Sequence, residues 1–150
     1  MQTENLLLYA EEILDYGVMG ILVLMSVVTL WLFIERMMFY SSVRTDDYEH
    51  RDELEMDLTD NISVISAIGT NAPYVGLLGT VFGIMITFYT LGDVGAVDAK
   101  KIMMGLALAL KATAMGLVVA IPAIIAYTIA LRKVERVLTK FDVAQEKKEH

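Results

Sequence analysis

The chain has 150 residues, 56% of them apolar and 21% charged, with a mean hydropathy of +0.55 and a formal net charge of −7. Charge and apolarity are segregated along it rather than mixed, which excludes a soluble enzyme and points to a membrane protein with several spans. With no cysteine there is no disulfide, thiol catalysis or thiolate-held metal, and His50 and His150 alone leave almost no metal chemistry.

Residues 1–16 carry Glu4, Glu11, Glu12 and Asp15 and no Lys or Arg. Without a basic n-region this is no ordinary cleavable signal peptide. Leu7, Ala10 and Leu14 share one helical face, so the segment reads as an amphipathic arm lying in the outer interface. The first span is expected over 17–38, largely coincident with the charge-free run from Tyr16 to Ile34. Glu35 and Arg36 read as an interfacial pair anchoring its inner end, an arrangement worth little individually. Trp31, Phe33, Phe39 and Tyr40 read as the matching aromatic belt. Residues 39–68 form an acidic loop and the start of the second long helix. Thr45 to Asp60, acidic and poor in apolar residues, is expected as a short solvated helix. Asn61-Ile62-Ser63 fits a glycosylation sequon but falls on the cytoplasmic side, where it has no use.

The second span is expected over 69–91, inside a charge-free run from Asn61 to Gly92. An outer-face loop follows at 92–101, with Gly92, Asp93 and Gly95 making the turn and Asp98 as the N-cap of the third long helix. The third span covers 102–131 and holds a single charge, Lys111. Thirty residues rise about 45 Å as a helix, so both long helices are expected to project beyond the bilayer. In the tail, 132–150, Val134, Val137, Leu138 and Phe141 recur at helical spacing, an amphipathic rod suited to packing on copies of itself. Arg36, Arg44 and Arg51 lie in the first loop, and Arg132, Lys133, Arg136, Lys140, Lys147 and Lys148 in the tail; opposite them stand only Lys100 and Lys101. That asymmetry places the N-terminus outside and the C-terminus in the cytoplasm. The acidity sits in the arm and the first loop, and nothing in it points to nucleic acid.

The long helices carry stripes of small residues. Gly69, Pro73, Gly76, Thr80, Gly83 and Thr87 step along the second by threes and fours, with Gly79 and Gly83 a GxxxG pair on a neighbouring face. Gly105, Ala109, Ala112, Gly116, Ala120 and Ala123 do the same on the third. Small residues let helix backbones approach in a lipid environment, so helix packing explains the Gly and Ala positions. Thr80, Thr87 and Thr113 on those faces suggest a polar lining, although a lone membrane threonine often bonds only its own i−4 carbonyl. Pro73 and Pro122 each remove a backbone donor and are expected to kink their helices. Lys111 sits about 15 Å beyond Lys101 along the axis, too deep to snorkel easily, and needs a cavity, water or an anion. The expected spans contain no Asp or Glu except Glu35, so its carboxylate is expected from another subunit.

The stretches NAPYVGLLGTVFGIMITF (71–88) and GLALALKATAMGLVVAIPAIIAY (105–127) together resemble the ExbB/TolQ/MotA family of ion-driven motor subunits. Three spans with an outer N-terminus are most like its compact ExbB members. The resemblance implies an all-α, three-span protein of the bacterial inner membrane, with helices two and three extended into the cytoplasm. It further implies a homo-oligomeric ring of five copies around a pair of single-span ExbD-type helices, which passes work from the proton-motive force to a TonB-type protein. By resemblance Thr80 and Thr113 line the pore, and no cofactor is implied. The family's third-helix motif has a glutamate where Leu108 stands here, and an apolar residue where Lys111 stands. The titratable carrier is therefore expected on the ExbD-type partner. A TolQ-type subunit of the envelope-constriction system, a small-molecule exporter and a passive scaffold are the other readings. An exporter would need an intramembrane acid to couple protons to substrate, and no acid, base or nucleophile converges as an enzyme would need.

Overall fold

The computed structural model describes residues 2–92 and 98–150, and among them all regular structure is helical. The helices are α1 (Gln2–Ser42), α2 (Arg51–Thr59), α3 (Ile62–Gly92) and α4 (Ala99–Glu149), with a single 3-10 turn at Thr45–Asp47. Three of them, α1, α3 and α4, are long and apolar enough to cross a membrane. At 1.5 Å per residue α1 is about 62 Å long, α3 about 46 Å and α4 about 77 Å, against a hydrocarbon core of about 30 Å. The turn expected at 93–97 lies outside the described residues. Asp98 does cap α4, its carboxylate accepting the Lys100 amide at 3.0 Å. Asn61 takes a φ of 61°, the left-handed region that asparagine tolerates, and so turns the chain from α2 directly into α3.

Facing residues fix the arrangement. A side-chain carbon on Gly69 would meet Ile124, one on Gly76 would meet Ala112 and Gly116, one on Gly83 would meet Ala109, and one on Gly105 would meet Thr87. Each step up α3 is a step down α4, so the two form a tight antiparallel hairpin. The small-residue stripes are the two halves of this seam. Helix α1 lies across it, with Val18 and Leu22 packed among Ile68, Ala72, Ala112, Ala120 and Ala123. Further along, Leu32 meets Ile65 and Ala126. Thus α1 runs parallel to α4. No break separates the expected arm from the first span: α1 passes from residue 16 to 17 as one rod.

A second core closes the end that carries α2. There Leu54 and Leu58, both fully buried, pack with Tyr40, Ile62, Ala130, Val134, Leu138 and Phe141. The acidic segment is therefore not merely solvated; two leucines one turn apart anchor it. The tail's apolar stripe is likewise covered by α2 and α1 of the same chain rather than left for another copy. Arg36 is buried and donates to the Asp57 carbonyl at 2.9 Å, while the Tyr40 hydroxyl donates to the Leu58 carbonyl at 2.8 Å. Those carbonyls belong to the last turn of α2, where no helical donor remains, and the guanidinium also meets the negative end of the helix dipole. Arg36 stacks over Phe39 at 4.7 Å and pairs with Glu35. It is thus the fastening of α2, not a surface ion pair, and Tyr40 turns inward instead of joining Trp31 in a belt. Arg51 adds a link from α2 to the tail, 3.3 Å from Asp142. Tyr48 donates to the Asp57 carboxylate at 2.8 Å, a bond that pushes its phenol up from the ordinary value.

Two stability contrasts follow from this packing. Leu54→Ala is expected to cost about 2–5 kcal/mol through the cavity it opens, whereas exposed Met56→Ala should stay within about 0.5 kcal/mol; chemical unfolding in mild detergent measures both. Gly76→Ala places a carbon 2.5 Å from the Ala112 carbonyl oxygen and should cost about 1–3 kcal/mol by forcing backbones apart. Gly20→Ala meets nothing within 4 Å and should gain up to about 1 kcal/mol in helix propensity.

Candidate functional site

The hairpin seam buries one polar cluster. Thr80, on the face of α3 turned to α4, is buried, and its hydroxyl lies 2.8 Å from the Ala109 carbonyl oxygen and 2.5 Å from the Thr113 hydroxyl. The Gly76 carbonyl, at 3.3 Å, is the weaker second acceptor. A hydroxyl has one proton to give. If Thr80 gives it to Ala109, the Thr113 hydroxyl must donate to Thr80. The result is a directed chain, Thr113 O–H to Thr80 O–H to the carbonyl of Ala109. Thr113 is half-buried at the edge of the seam, so its own lone pairs remain open towards that edge.

This use of threonine differs from every other one recorded in the long helices. Thr29, Thr70, Thr87, Thr90, Thr128 and Thr139 each bond a carbonyl one turn back on their own helix. Such a bond satisfies the hydroxyl locally and does nothing between helices. Thr80 and Thr113 bond across helices, because Gly76 and Gly116 bring the two backbones close: their substituents would meet each other's α-carbons at 3.1 Å. In so apolar a seam an unpaired hydroxyl is costly and a paired one is strong. Thr87, expected beside them, sits at the far end of the seam against Gly105 and back-bonds to Gly83 at 2.8 Å. Gly79 packs on both Ala112 and Val18, so it serves the α1 contact as well as the hairpin.

Both prolines are accommodated without ending their helices. Pro73 is half-buried in the seam. Pro122 is exposed and lines a shallow groove of about 380 Å³ between α1 and α4, with Ser26, Thr29 and Phe33 opposite.

Lys111 has a partner within the chain, contrary to the expectation that one had to come from outside. Its Nζ lies 3.8 Å from the Asp15 carboxylate. The expectation failed because Asp15 was assigned to an arm lying in the interface. As part of a straight α1, Asp15 stands level with Lys111. A signal was present in the sequence: Asp15 and Lys111 each directly precede a charge-free run of similar length, Tyr16–Ile34 and Ala112–Leu131. Two parallel helices with those runs aligned bring the two charges together. The pair stands beside a groove of about 470 Å³ whose lining includes Glu11, Asp15, Gly79, Gly83, Leu108 and Ala109. Among the described residues no three His, Asp or Glu side chains converge that would hold a metal ion.

The geometry therefore sets a pair of hydrogen-bonded hydroxyls in an apolar seam, with one charge pair near it. Comparison with known proteins agrees with that chemistry. Residues 31–143 match the model of the MotA/TolQ/ExbB proton channel family. The chain is 50% identical over 133 residues to the biopolymer transport protein ExbB of Helicobacter pylori strain J99, covering 89% of this chain and 92% of that protein. It is 48% identical over 132 residues to the biopolymer transport protein ExbB of Aquifex aeolicus, covering 88% and 89%. A shorter match, 45% identical over 73 residues, joins it to the Tol-Pal system protein TolQ of Pseudomonas aeruginosa and covers 49% of this chain and 32% of that one. This multi-pass membrane chain belongs to the MotA/TolQ/ExbB proton channel family.

Proposed function

We propose that the chain is an ExbB-type energiser of the bacterial inner membrane. Five copies form a ring around a pair of ExbD-type helices, and proton flow through the assembly drives work that a TonB-type protein delivers to outer-membrane uptake. The observation that carries this reading is the Thr113–Thr80 hydroxyl chain, because its partly open end offers hydrogen bonds to a group outside the subunit. Neither Ile62–Gly92 nor Ala99–Leu131 contains an Asp or Glu, so the titratable carrier is a carboxylate of the ExbD-type partner. Neutral, that carboxyl moves through an apolar ring; ionised, it is held by the threonine hydroxyls. The N-terminus lies in the periplasm and the tail in the cytoplasm, on the strength of the basic residues gathered around α2 and the end of α4. Pro73 and Pro122 supply local give in α3 and α4, since each leaves one carbonyl without its helical donor. The near full-length matches to ExbB proteins favour this branch over TolQ, whose match covers half the chain.

Native mass spectrometry of the chain co-expressed with a single-span ExbD-type partner tests the assembly. The expected species holds five 16.7 kDa chains and two partner chains; a monomer or dimer that ignores the partner overturns it.

Proton flux into vesicles containing the complex tests the site. Thr113→Val removes one cross-helix bond, worth about 1–1.5 kcal/mol, and should slow flux roughly five- to tenfold, and Thr80→Val, which removes two, should slow it at least as much. Thr87→Val loses only a bond within its own helix and should retain wild-type flux within about twofold. Equal loss in all three variants would remove the special role of the pair.

A further inference from the structure

We propose that Asp15 and Lys111 are positioning residues for the hydroxyl pair: their ion pair fixes the rotation of α4 about its axis, and so keeps Thr113 in register with Thr80. The inference rests on the proton-channel reading. Lys111 and Thr113 are two residues apart, which on a helix turns them about 200° from each other. One side of α4 is thus held to α1 through Lys111 and Asp15, 3.8 Å apart, and the other to α3 through Thr113 and Thr80.

Packing leaves a need for such a hold. The apolar contact between α1 and the hairpin begins at Leu14 and runs towards α2. Towards the start of α1, the 470 Å³ groove opens between Glu11 and Asp15 on one side and Gly83, Leu108 and Ala109 on the other. In that stretch the salt bridge is the recorded polar tie between α1 and α4. Ala109, on the floor of the groove, is the residue whose carbonyl receives the Thr80 proton. A rotation of α4 into the groove would therefore pull both Ala109 and Thr113 away from Thr80.

The charges also suit their level in the fold. Twenty residues separate Asp15 from Glu35, about 30 Å of helix, which equals the thickness of the hydrocarbon core. Charges one core thickness apart on α1 place Asp15, and Lys111 beside it, at an edge of the apolar layer rather than at its centre. An unpaired lysine at the centre would be costly. At the edge, with both side chains about half exposed, the pair contributes little stability. Its effect is on geometry. Glu11 and Glu12 face the same groove, and their charge adds to the field that holds the lysine towards α1.

The test uses the full chain reconstituted with its ExbD-type partner. Asp15→Asn and Lys111→Met are each expected to lower proton flux roughly two- to threefold, in keeping with a half-exposed ion pair. Asp15→Lys alone should do the same, whereas the exchanged pair Asp15→Lys with Lys111→Asp should recover most of the flux. Recovery by charge exchange is an outcome that loss of packing does not give. Single variants at wild-type flux, or an exchange no better than the singles, overturns the proposal. Because the chain has no cysteine, Asp15→Cys with Lys111→Cys can be joined by a short bifunctional thiol reagent, and absence of an intramolecular crosslink overturns the pairing whatever the flux. Wild-type vesicles without flux would instead overturn the proton-channel reading, and the crosslink alone would then decide whether the two helices are paired at this level.

Discussion

The close approach of α3 and α4 at Gly76 and Gly116 is the constraint on which the rest depends. Each glycine lies where a side-chain carbon would collide with the other helix's backbone: Gly76 against the Ala112 carbonyl and Gly116 against that of Ala72. Lipid offers no hydrophobic reward for burying leucines between two spans, so association relies on dispersion at short range and on polar bonds. Only at this separation does the short threonine side chain reach across. The hydroxyl chain is a consequence of the glycines, and a seam lined with larger residues would leave Thr80 bonding its own helix like its counterparts.

That dependence gives the site an unusual character for a polar cluster in an apolar wall. Ala109 already accepts its helical hydrogen bond through one lone pair and uses the second for Thr80. The chain ends on a group that neither titrates nor moves, so its polarity is set from the Ala109 end and its open end is Thr113. A group approaching from outside the seam therefore meets lone pairs rather than a donor. A donor matches such a surface as it stands, whereas an acceptor is held only once the Thr113 hydroxyl turns round to it from Thr80. The same two threonines thus distinguish a donor from an acceptor by the direction of their own bonds.

Much of the architecture was legible in the sequence because charge-free runs and steps of three and four are large, redundant signals. The helical class, the three long apolar helices, the Asp98 cap and the small-residue stripes all come from such patterns, whereas Thr80 and Thr113 stood there beside Thr87 on equal terms. The parts that were not legible depend on single residues acting between elements. Arg36 next to Glu35 looks like an ordinary surface pair, and nothing local says that it will be buried under the carbonyls of α2. Leu54 and Leu58 are two apolar residues in an acidic stretch, too few to outweigh its composition, although their spacing of one turn is the signal of a one-sided helix. Tyr40 reads as an interfacial aromatic because its hydroxyl finds a partner only once α2 has folded back.

The misplaced isolation of Lys111 shows why depth cannot be counted along one helix. Measured from Lys101 on α4 alone, Lys111 is deep in an apolar run. Measured across the bundle, it is level with Asp15, because α4 and α3 continue past that level as an apolar hairpin with nothing of α1 but its acidic first turns beside them. The charge-free run of α3, Asn61 to Gly92, is longer than that of α1 for this reason. Its length reports a packed hairpin as well as a membrane. Where helices of unequal apolar length pack side by side, the shortest charge-free runs set the common level, and here those of α1 and α4 agree to within one residue at the end marked by Asp15 and Lys111 and at the end marked by Glu35 and Arg132.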